Sequence, residues 1–242
     1  MFLNGRQELI QADPLDAYAQ QESARTYNAL GELEIELRHA QASFEQHQRA
    51  HAIFEALHKR DPANAETTWY LSNTEYHLGN ARQLLGDEKG AEKHFRACLD
   101  TRVLLQKSDA KNIQRKIELM LVQAQLGMHQ QASQSATQVL HDAPRHPGKL
   151  FSAACAEALN VRATFSDPTM RQDYSDRAVK ILTRAIAQGY RDLRALEGVP
   201  ELQPLRAHDG FKRLLGELAI KLASVAQSPD EASSPKPEVR FP

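Results

Sequence analysis

Apolar residues recur along this chain with a helical beat that is broken at regular intervals. Tyr18, Tyr27, Leu30, Leu33 and Leu37 stand at helical spacing, and a second series follows at Phe44, Ala50, Ile53, Phe54 and Leu57. Asp61-Pro62 ends that second helix, because the residue before a proline is pushed out of the helical region. The plan then repeats. Trp69, Tyr70, Tyr76, Leu78 and Leu84 mark one helix, Gly86-Asp87 a turn, and Ala91, Phe95, Cys98, Leu99, Val103 and Leu104 its partner. A shorter pair runs from Ile113 to Leu126, turns at Gly127, carries Ala132, Ala136, Val139 and Leu140, and stops at Pro144. A fourth runs from Leu150 to Leu159, passes a loop at Asp167-Pro168, and returns through Ala178, Val179, Ile181, Leu182 and Ile186 to a C-cap at Gly189.

These pairs are copies of one another. At a 48-residue offset Asp13-Pro14 with Ala17 becomes Asp61-Pro62 with Ala65 and then Asp109-Ala110; Leu30-Gly31 becomes Leu78-Gly79; Leu9 becomes Leu57 and Leu105. Such a period predicts a stacked repeat, all-α, of about four helical hairpins. Residues 1–12 read as the end of a preceding helix, so the chain opens partway through a repeat, as a piece of a larger parent or of a shortened gene would. Residues 13–189 are the repeats. In residues 190–222 the grammar changes: Leu193, Leu196, Leu202 and Leu205 are broken up by Pro200 and Pro204, and Phe211, Leu214, Leu215, Leu218 and Leu222 form one apolar stripe. A terminal element of this kind predicts a helical cap over the last repeat. Residues 223–242, rich in Pro, Ser, Asp and Glu, read as a disordered tail.

The phrase Leu78-Gly79, Leu85-Gly86-Asp87, Gly90-Ala91 and Phe95-Arg96 resembles the tetratricopeptide (TPR) pattern. There, a small residue in the first helix faces an aromatic in the second. The resemblance implies a right-handed α-solenoid. Two departures stand out in the first hairpin: Arg38 occupies the place of the turn glycine, and His47 the place of Phe95. In the third, Ala136 replaces the aromatic. The segments Leu150-Phe151-Ser152-Ala153-Ala154-Cys155, Tyr174–Val179, Gly189–Asp192, Pro200–Arg206 and Phe211–Leu215 are similar to the end of the TPR region that follows the kinase domain in many bacterial serine/threonine kinases. No kinase motif is present: there is no glycine-rich loop, no His-Arg-Asp loop and no Asp-Phe-Gly, and Lys59-Arg60-Asp61-Pro62 is a helix end. A kinase fragment would need its catalytic half from elsewhere.

Composition narrows the function classes. A formal net charge of -1 argues against a general nucleic-acid binder. Cys98 and Cys155 are too few and too far apart for a disulfide framework and read as small buried hydrophobes. Met1-Phe2-Leu3-Asn4-Gly5-Arg6 lacks the charged leader and apolar stretch of a signal peptide, and no segment approaches the roughly 20 apolar residues of a membrane helix. The expectation is a cytoplasmic chain without membrane insertion. His47 and His51 share a helix face, but His58 is too far along it to complete a zinc site. No metal, no cofactor and no catalytic residue is expected.

What remains is a protein or peptide partner held in the groove lined by the first helices, as the TPR resemblance implies. Arg25, Asn28 and Glu32 of the first hairpin and Asn73, Tyr76, Asn80 and Gln83 of the second fall on the outward faces. Amides both donate and accept, so they suit the backbone of an extended peptide, and Tyr76 offers contact area at low entropic cost. Only Arg25 and Arg82 lie near the asparagines in sequence, which speaks against a C-terminal carboxylate as ligand. An alternative is self-assembly through the amino-terminal edge at Phe2 and Leu3, where an unpaired repeat would stack on a second copy.

Overall fold

The computed structural model describes residues 16–164 and 166–226. Among these, helices and turns account for the architecture and no strand occurs. The helices are α1 (Ala17–Glu36), α2 (Ala40–Arg60), α3 (Ala65–Leu84), α4 (Glu88–Ser108), α5 (Ile113–Gln125), α6 (His129–Asp142), α7 (Pro147–Ala163), α8 (Pro168–Ala187), α9 (Leu193–Gly198) and α10 (Asp209–Ala226), with a 3-10 segment at Pro200–Leu205 between the last two. Each helix from α1 to α7 packs on the next, and first helices of neighbouring hairpins also meet, α1 on α3 and α5 on α7. This makes the chain a TPR-like helical solenoid. Leu9, Asp13-Pro14 and the amino-terminal edge at Phe2 and Leu3 lie outside the described residues, as does the chain beyond Ala226.

The repeat is written in the helix ends. Asp16, Asn64 and Asn112 cap α1, α3 and α5, each side chain accepting from N–H groups of the first turn. These caps keep the 48-residue offset. Asp61 and Asp109, from the recurring Asp-Pro and Asp-Ala phrases, close the preceding helices α2 and α4. The hairpin turns also share one geometry. Arg38 (φ 64°), Gly86 (φ 79°), Gly127 (φ 72°) and Gly189 (φ 104°) take left-handed backbone. In each case the next residue's N–H reaches back five residues, His39 to Glu34, Asp87 to Arg82, Met128 to Gln123 and Tyr190 to Ala185. This is the Schellman closure, in which a left-handed residue ends the helix. Arg38 therefore adopts a conformation that L side chains enter at a cost.

Inside the first two hairpins, close approach depends on one small residue against one ring. A Cβ on Gly79 would lie 2.5 Å from the Phe95 ring, and a Cβ on Gly31 would lie 2.5 Å from His47. In the third hairpin, counted back from its turn, Met120 and Ala136 hold these places and both are buried in one cluster. Large and small have traded helices, with Met120 on the first helix and Ala136 on the second.

The apolar interior is uneven. One cluster is continuous from Ile117 in α5 to Leu218 in α10 and includes Leu150, Leu182, Leu202, Leu205 and Phe211. Smaller clusters hold the first two hairpins: Ala24, Ala50, Phe54 and Leu57, then Tyr76, Ala91, Phe95, Cys98 and Val122. Several apolar residues of the helical series end up in solvent, among them Tyr18, Leu33 (49% exposed), Leu37, Leu84 and Leu104. Helical spacing marks an apolar stripe but not its width, and these residues lie at its margin or at helix ends.

The C-terminal segment completes the shape. The 3-10 segment packs on α7, α8 and α9, and α10 packs on α8 and α9. With α5, α6 and α8 on its other sides, α7 is buried without interruption from Ala153 to Val161.

Candidate functional site

The residues expected to line the groove separate into two groups. Asn28 and Tyr76, read from sequence as outward-facing, are buried instead. Asn28 donates to Thr74 Oγ1 at 2.7 Å and accepts from His47 Nδ1 at 3.0 Å, so it serves the seam between the first two hairpins. Tyr76 is 6% exposed. Its hydroxyl donates to Glu201 of the 3-10 segment at 3.1 Å, and the Arg102 guanidinium lies 4.8 Å from its ring centre. Burial and the nearby Glu201 carboxylate hold the Tyr76 phenol protonated well above its usual range. The physical reason is the fold-back of the C-terminal segment, which turns an outward face into a packed one.

Arg25, Glu32 and Asn73 stay near the surface but with partners inside the chain. Arg25 pairs with Glu22 and lies over the Tyr70 ring. Glu32 contacts His77 at 3.2 Å. Asn73 contacts His77 at 3.2 Å and accepts from Arg102 at 3.5 Å. These positions do not converge on one opening.

Asn80 and Gln83 do converge. They lie near the C-terminal end of α3, where Gln125 donates to Asn80 at 2.8 Å and Arg162 donates to Gln83 at 3.4 Å. Both line a cavity of about 780 Å³ whose other walls are Ile35, Arg38 and Ala40 at the first hairpin turn, Leu84, Arg162 of α7, and the Glu197–Arg206 stretch. The cavity residues missed in the sequence are Arg38, Arg162, Gln203 and Arg206. Arg38 had a visible signal, since it replaces a turn glycine. The others arrive through the non-periodic fold-back, which no repeat pattern announces. The cations sought beside the asparagines come from distant parts of the chain, so sequence proximity undercounted them.

A second polar constellation sits between the first two hairpins. Glu75 is held by His51 and His94, each at 2.6 Å. Burial alone would raise its carboxyl, but the hydrogen bonds and charges of the two histidines bring it down to about 2. The hydrogen bond to Glu75 raises His51. His47 stacks on His77 at 4.9 Å between ring centres. Burial, reinforced by the His77 charge, lowers His47 to about 3. With Nδ1–H donating to Asn28, Nε2 has no hydrogen-bond partner, so His47 is a neutral packed ring.

Both cysteines are buried free thiols. Burial pushes the Cys98 thiol up to about 11 and raises Cys155 as well, so neither is an activated nucleophile. Among the described residues no group of three His, Cys, Asp or Glu is placed to hold a metal ion, and no helix is long and apolar enough to cross a membrane.

No family model matches this chain. No curated protein matches it either. Among solved structures it is similar to the crystal structure of MamA, with a TM-score of 0.39 and 16% identity over 77% of this chain and 85% of that one. A likeness this distant has no bearing on the site.

Proposed function

We propose that this chain is a noncatalytic protein–protein interaction scaffold that holds a peptide segment of its partner in the cavity at the end of α3. The observation that carries this reading is the convergence of Asn80 and Gln83 with Arg162 and the Glu197–Arg206 stretch around one opening of about 780 Å³. Amide and guanidinium groups on helices packed into a rigid stack can pair with a peptide without first being ordered, which lowers the cost of binding. The resemblance of the Leu150–Leu215 region to kinase-associated TPR segments offers a regulatory setting for such a scaffold. An in-frame catalytic loop encoded upstream of Met1 would support that setting.

The test is photo-crosslinking from the cavity wall. A photoreactive residue at Gln203, which is exposed on the rim, should crosslink a partner in native lysate. The same variant carrying Asn80→Ala and Gln83→Ala should lose that crosslink while its unfolding midpoint falls by no more than roughly 4 °C, the loss expected from the Gln125–Asn80 hydrogen bond. A partner captured equally by both would move the binding surface elsewhere.

A further inference from the structure

The fold-back brings together three guanidinium groups that the sequence keeps far apart. Arg38 stands in the α1–α2 turn, Arg162 in the last turn of α7, and Arg206 directly after the 3-10 segment; all three line the cavity that holds Asn80 and Gln83. Glu197 is the one carboxylate among the described lining residues, so positive charge prevails. Arg162 also approaches Glu88 at 3.8 Å, but that pair is exposed and loosely held. Arg206 donates to the Glu197 carbonyl, which fixes its position without neutralising it. Burial disfavours its protonation most; the Glu197 carboxylate opposes that, and the neighbouring Arg38 charge adds a smaller push in the same direction as burial. Cations brought this close inside a partly enclosed space are relieved by an anion.

Arg38 supplies a second, independent observation. It is the only described residue other than glycine with a positive φ. The equivalent turns use Gly86 and Gly127. A strained backbone conformation kept at a cavity wall is a pointer to use, since glycine there would relieve the turn and remove the charge.

We propose that the cavity binds an acidic segment of a partner protein, whose Asp or Glu side chains pair with Arg38, Arg162 and Arg206. This deepens the reading of the cavity as a peptide site and rests on it. Guanidinium forks match carboxylates two bonds at a time. Three of them on three elements suit charge spread along a chain, and the opening is much larger than a single terminal carboxylate would fill. Attraction of this kind weakens as salt rises.

The full chain is titrated into fluorescein-labelled nonapeptides and read by fluorescence anisotropy. One peptide alternates Glu and Ala with an amidated C terminus, a second replaces every Glu by Gln, and a third is the Gln peptide with a free terminal carboxylate. The Glu peptide should bind, and the amidated Gln peptide should bind at least about tenfold more weakly. Arg162→Gln should weaken the Glu peptide roughly fivefold, as expected for loss of one charged hydrogen bond. Arg38→Gly should weaken it by a similar factor while raising the unfolding midpoint by roughly 2–4 °C, so that loss of fold is not the cause. Equal binding of the Glu and amidated Gln peptides would overturn the charge selection and leave the peptide cavity standing. Preference for the free terminal carboxylate would overturn the acidic-segment assignment. Unchanged affinity in Arg38→Gly would remove that residue and the three-arginine account with it. Failure of every peptide to bind would overturn this proposal, and the crosslink from Gln203 then decides the broader one separately.

Discussion

From Ile117 to Leu218 the apolar interior is continuous, whereas the first two hairpins rest on small apolar clusters joined by a polar seam. In the C-terminal half, α7 is wrapped on all sides and its neighbours interlock through leucines. In the N-terminal half, Asn28, His47, Thr74, His77, Glu75, His51 and His94 occupy much of the interface between hairpins. The difference teaches that one repeat plan tolerates two kinds of cohesion. Apolar burial is strong and insensitive to pH near neutrality. A hydrogen-bonded seam specifies register but depends on protonation.

The comparison breaks most easily in the C-terminal half. Leu182 is fully buried within the long cluster, so Leu182→Ala should cost about 2–5 kcal/mol by denaturant unfolding. A loss below about 1 kcal/mol would show that the interior there is less cohesive than its burial indicates. Next comes the ring contact shared by the first two hairpins. Replacing a helical glycine by alanine usually helps by about 0.5–1 kcal/mol. Gly79→Ala should instead destabilise by about 1–3 kcal/mol, because its Cβ would enter the Phe95 ring. Phe95→Leu in the same chain should recover part of the loss.

The seam predicts a pH effect of a definite sign. His47 is lowered to about 3 in the folded chain, so its contribution is present above the unfolded value near 6.5 and lost as pH falls toward 3. Between pH 7 and pH 5.5 the loss amounts to about 1 kcal/mol. The His51–Glu75 pair works differently: Glu75 contributes above about 4.5, its unfolded value, and raised His51 contributes below about 6.5. Their joint contribution is therefore greatest between those values. His47→Phe, which installs the ring of the second hairpin, should flatten the acid limb relative to the native chain over pH 7 to 5.5. Equal slopes would show that His47 takes up its proton as readily in the folded chain as in the unfolded one. The smallest effect is expected at Leu33, which is 49% exposed. Leu33→Ala should change stability by no more than about 0.5 kcal/mol.

Much of the architecture was readable because hairpin repeats leave local marks. The 48-residue offset, the turn glycines and the Gly79–Phe95 pairing each record a requirement met by neighbouring residues. The caps Asp16, Asn64 and Asn112 obey the same offset and could have been read from it. The cavity was only partly readable. Asn80 and Gln83 sit on a regular helix face, so their position follows from periodicity. Tyr76 occupies an equally regular position, yet is covered, because the covering segment is irregular and arrives from residues 199–206. Nothing in the local pattern around Tyr76 encodes Glu201.

That contact has a mechanical consequence. A stack of helical hairpins bends and stretches like a spring, since each unit leans only on its neighbours. Here the Tyr76–Glu201 hydrogen bond joins positions 125 residues apart, linking the second hairpin to the far end of the coil. Tension between those points must first open this clasp, and the stack can lengthen only afterwards.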